Sequence, residues 1–528
     1  MPDEVPALTG RTRLVVGVGV AFVIAAGLLL RFWTRSGLWL DEALTVNVAR
    51  LPLHQLPDAL KHDGAPPLYY VLLHFWMGLF GQSNDAVRAL SGVIAVLTIP
   101  VGWLCGRRFG GRAVAWTMVV LLASAPFGVY YATESRMYAL VILLTGLGFL
   151  ALERAVRAPR PGNLVAVALV TAGLLYSQYW SVYLVAMVGL WLVASIWRTR
   201  HRGEPEAAPW AALIAVAAGV LLFVPWVPTF FYQSKHTGTP WAAPPNFSAV
   251  INALTGFTDN QGSTLQTATN QGRLLAVIYF AMLALAVFGI GKSERYIELD
   301  LRTRPHSRGV GFVVLGTLFA AIGGGIITSS AFSSRYAAVV FLPFLLLVAY
   351  GTTTLLNPKA RVIVVGLAVA AGLVSSAQNV TTQRTQANAV AVAIDGQAKP
   401  GDVIAFCPDQ LGPAVYRQIE NPSQYDMITF PRGTGPVIVN WVDYAQTFGA
   451  ASPAHFADVV ARRAGTAHHV WLVWQSMYQS FGIKCEQIAS DLVTAATKTG
   501  GGGRNVVTAH PRLYYEPMNL TEIAFAGS

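Results

Sequence analysis

Two adjacent carboxylates, Asp41 and Glu42, stand in the stretch "GLWLDEAL" just past an apolar run long enough to cross a membrane. A charge set among tryptophan and leucine at a water–membrane boundary costs about 2.5 kcal/mol or more. Two explanations fit. Structural pairing is one, with Arg35 close in sequence to Asp41. Chemistry is the other, because a carboxylate in a partly dry site takes a proton from a sugar hydroxyl as a general base. Glu134, in "VYYATESRMYAL", raises the same alternatives, with Arg136 two residues away as the structural partner. Three cations, Arg136, Lys235 and Arg335, fall at comparable depth. Such groups either meet lipid headgroups or converge to neutralise a departing phosphate.

The elements that must hold these residues are membrane helices. Of the 528 residues 54% are hydrophobic and only 12% charged, far from the usage of soluble domains. Windows of about 20 apolar residues give spans at 14–33, 86–106, 113–129, 137–153, 163–178, 181–197, 209–228, 273–291, 309–330, 336–356 and 362–378. The first is expected to be a retained anchor rather than a cleaved signal. With the N-terminus cytoplasmic, the inner loops hold eighteen Lys and Arg and the outer loops six, which satisfies the positive-inside rule. The membrane part, 1–378, has 27 basic and 15 acidic residues, and the tail, 379–528, has 10 and 11. The net charge of +11 is thus a topology signal and gives no support to nucleic-acid binding.

The first external loop, 34–85, contains "PLYYVLLHFWMGLF", too short to span and opened by prolines, which predicts an interfacial helix. The loop at 229–272 is long and nearly uncharged. Of the external carboxylates, Asp58, Asp63, Asp85 and Asp259 are expected to be solvated loop residues. From residue 379 helical and strand patterns alternate, predicting a small extracytoplasmic α/β domain. Gly500 to Gly503 lacks the Lys-Ser/Thr of a phosphate loop, so a flexible connector is expected there. Cys407 and Cys485 both lie in the tail, where an oxidising compartment predicts a disulfide between them, whereas Cys105 lies on the cytoplasmic side. No His/Cys cluster has zinc spacing, so no cofactor is expected; a divalent metal is not indicated.

The segments "LWLDEALTVNVARL", "DGAPPLYYVLLHFWMGLFGQSNDAVRALSGVIAVLTIPVGWLCGRRFGG" and "ASAPFGVYYATESRMYAL" resemble the bacterial branch of the GT-C glycosyltransferases, the protein O-mannosyltransferase and lipid A aminoarabinose transferase group. The resemblance covers residues 14–150 and continues faintly to "SRYAAVVFLPFLLL". It implies a polyprenyl-phosphate sugar donor, a lipid or glycan acceptor of the cell envelope, and mannose or arabinose as the sugar. Asp41 takes the place of the catalytic base, Glu42 that of its neighbour and Glu134 that of the second acid. Arg136, Arg335 and Lys235 are the candidates for the donor phosphate. The sequence departs from the pattern at Gly64-Ala65, where relatives carry His or Lys before the Pro-Pro pair; His62 and Asp63 stand upstream. A transporter or flippase of an envelope precursor and a non-catalytic scaffold are the alternatives. A transporter is expected to place charged or broken-helix sites near mid-membrane, and these spans are nearly free of charge inside.

Overall fold

The computed structural model describes residues 10–238, 245–259, 266–328, 330–476, 478 and 482–526. The chain forms two compact units. One comprises Met1–Thr34, Arg88–Val227 and Pro244–Val380, and the other Arg35–Val87, Pro228–Ala243 and Thr381–Ser528. The first external loop therefore belongs to the same unit as the tail.

In chain order the helices up to the tail are α1 (Gly10–Leu30), α2 (Leu40–Ala49), α3 (Leu56–Asp63), α4 (Leu68–Phe80), α5 (Asn84–Ser124), α6 (Pro126–Ala132), α7 (Tyr138–Arg157) and α8 (Pro161–Ser177). They continue as α9 (Ser181–His201), α10 (Ala207–Leu222), α11 (Val227–His236), α12 (Ser248–Gly256), α13 (Asn270–Phe288), α14 (Pro305–Ile327), α15 (Ala338–Gly351) and α16 (Pro358–Thr381). Among the described residues, eight helical stretches are long and apolar enough to cross a membrane, and Leu14–Leu30 and Pro161–Ser177 are apolar but shorter. Each of the eleven stretches expected from hydropathy overlaps a helix, and α5 carries two of them. It breaks at Gly110 and Gly111, where Gly111 takes φ 81°, a left-handed conformation that glycine adopts without steric cost. Close packing of the two limbs also needs a small residue: a Cβ on Gly106 would lie 2.7 Å from the Ala115 Cα.

Within the first unit, α15 is buried from Ala338 to Ala349. A helix apolar all round belongs at the centre of a bundle. Phe341 on this helix packs 4.8 Å from Phe127 and 5.1 Å from Phe257, ring centre to ring centre. Arg31, just past α1 and 3% exposed, donates to the carbonyls of Gly27 at 2.7 Å, Ala123 at 3.0 Å and Leu122 at 2.5 Å. These carbonyls sit near the carboxyl ends of two helices, where partial negative charge collects, so the buried cation ties α1 to α5. Asp259 corrects an expectation. It is buried rather than solvated, accepting from the Thr269 N–H at 3.0 Å and from the hydroxyls of Thr269 and Ser375 at 2.9 and 3.2 Å. The supposed loop at 229–272 also contains α12 and most of α11. A short hairpin, β1 (Gly289–Gly291) with β2 (Ile297–Leu299), follows α13.

In the second unit, α4 buries Tyr69, Tyr70, Leu73 and Met77 and leaves Leu72, Phe75, Leu79 and Phe80 exposed, the two-faced pattern of an interfacial helix. The tail contributes α17 (Ala387–Gln397), β3 (Val403–Cys407), α18 (Gly412–Tyr416), β4 (Asp426–Thr429), α19 (Tyr444–Ala450), α20 (Pro453–Ala464), β5 (Val470–Trp474), α21 (Lys484–Lys498), β6 (Gly502–Val507) and β7 (Asn519–Ala524). The sheet order is β4-β3-β5-β7-β6, with β3 parallel to β4 and β5, and β7 antiparallel to β5 and β6. Gly502 and Gly503 lie in β6, so the glycine run is partly strand and not simply a connector. Cys407 at the end of β3 is bonded to Cys485 on α21, with Cα atoms 5.4 Å apart and 78 residues between them in sequence.

Candidate active site

The second unit assembles its acids at the amino-terminal end of α2. Trp39 enters in extended conformation and gives the helix no side-chain cap, and the partial positive charge of the helix start favours carboxylates in the first turn. Asp41 and Glu42 occupy that turn. One helical residue apart, their side chains diverge by about 100°, and their surroundings differ accordingly. Glu42 is fully buried, its carboxylate 3.8 Å from the guanidinium of Arg384, itself 4% exposed. Asp41 is only partly buried, and its carbonyl accepts from the Thr45 hydroxyl at 2.7 Å. Glu516 completes the cluster, its Oε1 accepting from the Leu40 N–H at 3.2 Å. Burial pushes Glu516 up to about 8, with the charges of Asp41 and Glu42 adding to the effect.

The rest of the loop is fastened by polar contacts. Asn47 donates to the Val437 carbonyl at 2.8 Å, a ring nitrogen of His74 lies 2.8 Å from the Ala49 carbonyl, and the Tyr70 hydroxyl donates to Asp63 at 2.5 Å. Gly64 ends α3 at φ 83°, and the Gln233 amide of α11 reaches the Leu60 carbonyl at 2.6 Å. Lys235 is exposed in the last turn of α11. No group of three or more His, Cys, Asp or Glu placed to hold a metal occurs among the described residues.

Glu134, Arg136 and Arg335 belong to the first unit. Glu134 is fully buried, in a turn closed by the Arg136 N–H donating to the Glu134 carbonyl at 2.8 Å. The Ser91 hydroxyl donates to the Arg136 carbonyl at 3.3 Å. Tyr131, at the end of α6, has its hydroxyl pushed well above the ordinary value, first by burial and next by the charge of Glu134, while Arg335 acts against the shift. Glu134 and Arg335 are thus electrostatic neighbours of one tyrosine. Arg335 also stands 5.5 Å over the Tyr336 ring, which stacks on Trp180 at 5.0 Å and 13°.

The structure brings Asp41 and Glu42 together with two residues that sequence reasoning missed, Arg384 and Glu516. Neither carries a local signal: Arg384 sits in "TTQRTQA" after a span and Glu516 in "YYEPMN" near the end of the chain. The pairing of Thr385 with Glu516 as an isolated parallel bridge sets them side by side.

No curated protein matches the chain in sequence. A sequence profile described as dolichyl-phosphate-mannose-protein mannosyltransferase matches residues 64–228. Among solved structures, the fold resembles ArnT from Cupriavidus metallidurans bound to undecaprenyl phosphate, at 13% identity over 98% of both chains with a TM-score of 0.57. The same protein in its apo state gives 12% identity over 97% of this chain and 98% of that one, with a TM-score of 0.59. The archaeal oligosaccharyltransferase AglB from Archaeoglobus fulgidus, in complex with an inhibitory peptide and a dolichol-phosphate, is similar at 11% identity over 90% of this chain and 72% of its own, with a TM-score of 0.51. The chain is a multi-pass membrane protein with the GT-C glycosyltransferase fold, and its residues 64–228 are similar to the mannosyltransferase profile.

Proposed function

We propose that the protein transfers a sugar, mannose or arabinose, from a polyprenyl-phosphate carrier to a lipid or glycan of the cell envelope, on the outer face of the plasma membrane. The contrast within α2 carries the proposal: of two adjacent acids, one is buried against an arginine and the other is partly open to solvent. Asp41 is the general base. It takes the proton of the acceptor hydroxyl as that oxygen attacks the anomeric carbon and the bond to the carrier phosphate breaks, inverting the centre in one displacement. The polyprenyl phosphate leaves with the bonding electron pair. Glu42 shapes the turn through Arg384, and Glu134, in the other unit, is a further candidate acid on the resemblance. Arg136 and Arg335 in one unit, and Lys235 in the other, are the candidates for the phosphate charge.

Support for a polyprenyl-phosphate carrier comes from the likeness to structures that hold undecaprenyl phosphate and dolichol-phosphate. No nucleotide-binding site is needed for such a donor, and a nucleic-acid partner has no place in this reaction. The loop charges support an N-terminus in the cytoplasm and residues 379–528 outside it as an extracytoplasmic domain. Labelling of a cysteine placed at Ser452 in intact cells tests that orientation, and protection until the membrane is opened would reverse it.

The deciding experiment is transfer from radiolabelled polyprenyl-phosphate mannose and polyprenyl-phosphate arabinose to envelope lipids, by purified wild type and Asp41→Asn. The amide keeps the size of the acid but cannot accept the proton, so a loss of about 10² to 10⁴ in rate is expected. Near-normal transfer by the variant would remove Asp41 from the role of base. A wild type inactive with every polyprenyl donor would return the transporter and scaffold alternatives. Arg335→Ala is expected to raise the KM for donor more than for acceptor.

A further inference from the structure

The end of α2 lacks a cap of its own, and the group that fills the gap comes from the far end of the chain. Trp39 offers no side-chain acceptor, yet the Leu40 N–H is satisfied by Glu516 at 3.2 Å. Glu516 is 1% exposed and is fixed from both sides: its N–H donates to the Arg384 carbonyl at 2.8 Å and its carbonyl accepts from the Gln386 N–H at 3.0 Å. The buried Gln386 in turn pins the surrounding loop, donating to the Thr508 carbonyl at 2.7 Å and accepting from the N–H groups of His510 and Met518 at 3.1 and 3.2 Å. The Tyr515 ring meets Trp39 edge to face at 5.2 Å. Arg384 is secured by the Ser36 hydroxyl, which accepts its N–H at 2.8 Å.

We infer that Glu516 is a positioning residue for Asp41, capping α2 from the tail and holding the turn that carries the proposed base. The inference rests on the catalytic reading of Asp41. A third acid beside Asp41 and Glu42 is tolerable because it is held protonated. Burial and those two neighbours push Glu516 up to about 8, so at neutral pH it accepts the Leu40 N–H without adding a charge. Above about pH 8 Glu516 ionises and adds negative charge beside Asp41 and Glu42, where it repels the donor phosphate. The charges of Asp41 and Glu42 on α2 push the Glu516 carboxyl up, and hydrogen bonds from the Thr385 side chain and the Leu40 N–H act against that rise.

Glu516→Gln keeps a carbonyl acceptor for Leu40 and never ionises; Glu516→Ala removes the cap. The full-length protein is compared by hydrogen exchange of the peptide covering residues 38–46 and by transfer from radiolabelled polyprenyl-phosphate mannose between pH 6 and pH 9. The expected results are about fivefold faster exchange in Glu516→Ala, from the loss of an N-cap, and wild-type exchange in Glu516→Gln. The wild type loses transfer above about pH 8 through a rising KM for donor, and Glu516→Gln does not. Unchanged exchange in Glu516→Ala, or the same alkaline loss in Glu516→Gln as in wild type, overturns the inference. Asp41→Asn in the same series separates the two claims. Normal transfer by that variant defeats the catalytic reading, while the exchange data still judge the cap on their own.

Discussion

Asp259 in one unit and Glu42 in the other are buried to the same degree, at 2% and 0% exposed, but they are compensated differently. Asp259 accepts from the Thr269 N–H and from the hydroxyls of Thr269 and Ser375. The result is a clasp between the segment after α12, the start of α13 and α16. Around Glu42 the partner is a buried guanidinium, and two further acids, Asp41 and Glu516, stand close by. Several acids crowded at one helix end are costly, and fold alone does not require them. Asp259, held by N–H and hydroxyl donors between three segments, builds structure, whereas Asp41, partly accessible beside two further acids, is placed to take up a proton.

The comparison breaks most sharply at Arg384. Removing one member of a buried ion pair leaves an uncompensated charge, at a cost of about 3 to 5 kcal/mol. Arg384→Met should therefore lower the apparent melting temperature in detergent more than any other change at the cluster, and adding Glu42→Gln should restore most of the loss. An unaltered melting temperature would show that Glu42 does not depend on this arginine.

Asp259→Asn should cost less and cost only stability. The amide turns one acceptor oxygen into a donor that faces existing donors, worth about 1 to 3 kcal/mol. Transfer per folded molecule should equal that of the wild type. A fall in rate at matched folding would give Asp259 a part in the chemistry and remove the contrast between the two acids. Asp41→Asn is the mirror image, losing rate with little change in stability.

Legibility followed locality. The apolar runs and the tail elements were readable because a span, a helix or a strand is written in consecutive residues. Gly110-Gly111 punctuates α5 between two apolar runs for the same reason. Asp41 and Glu42 stood out because charge beside a span is expensive. What escaped depends on contacts distant in sequence: Arg384 lies more than 300 residues from Glu42 in numbering, and Glu516 more than 400 from Leu40. No propensity links such positions. Asp259 was misjudged because its partners Thr269 and Ser375 look like ordinary loop and helix residues. Strands β4 and β7 escaped because each is short and gains its place from its neighbours in the sheet.

The last test lies within the tail and asks whether a buried acid outside the cluster behaves differently again. Asp409, after β3, is buried and accepts from the Tyr444 hydroxyl at 2.5 Å. Burial pushes its carboxyl up to about 7, against the opposing influence of Tyr444 and Arg432. An unfolded aspartate titrates near 3.9, so between roughly pH 4 and 7 the folded protein binds the extra proton and the unfolded chain does not. Stability contributed by this group is therefore complete below about pH 4, declines as pH rises through about 7, and levels off above that. Glu516 acts in the same direction up to about 8. Melting temperatures of the full-length protein from pH 4 to pH 9 should fall less steeply for Asp409→Asn than for wild type, and least for Asp409→Asn combined with Glu516→Gln. If all three proteins show the same slope, neither acid is held protonated by the fold. If Asp409→Asn alone removes the slope up to pH 8, the charge assigned to Glu516 at the head of α2 is wrong.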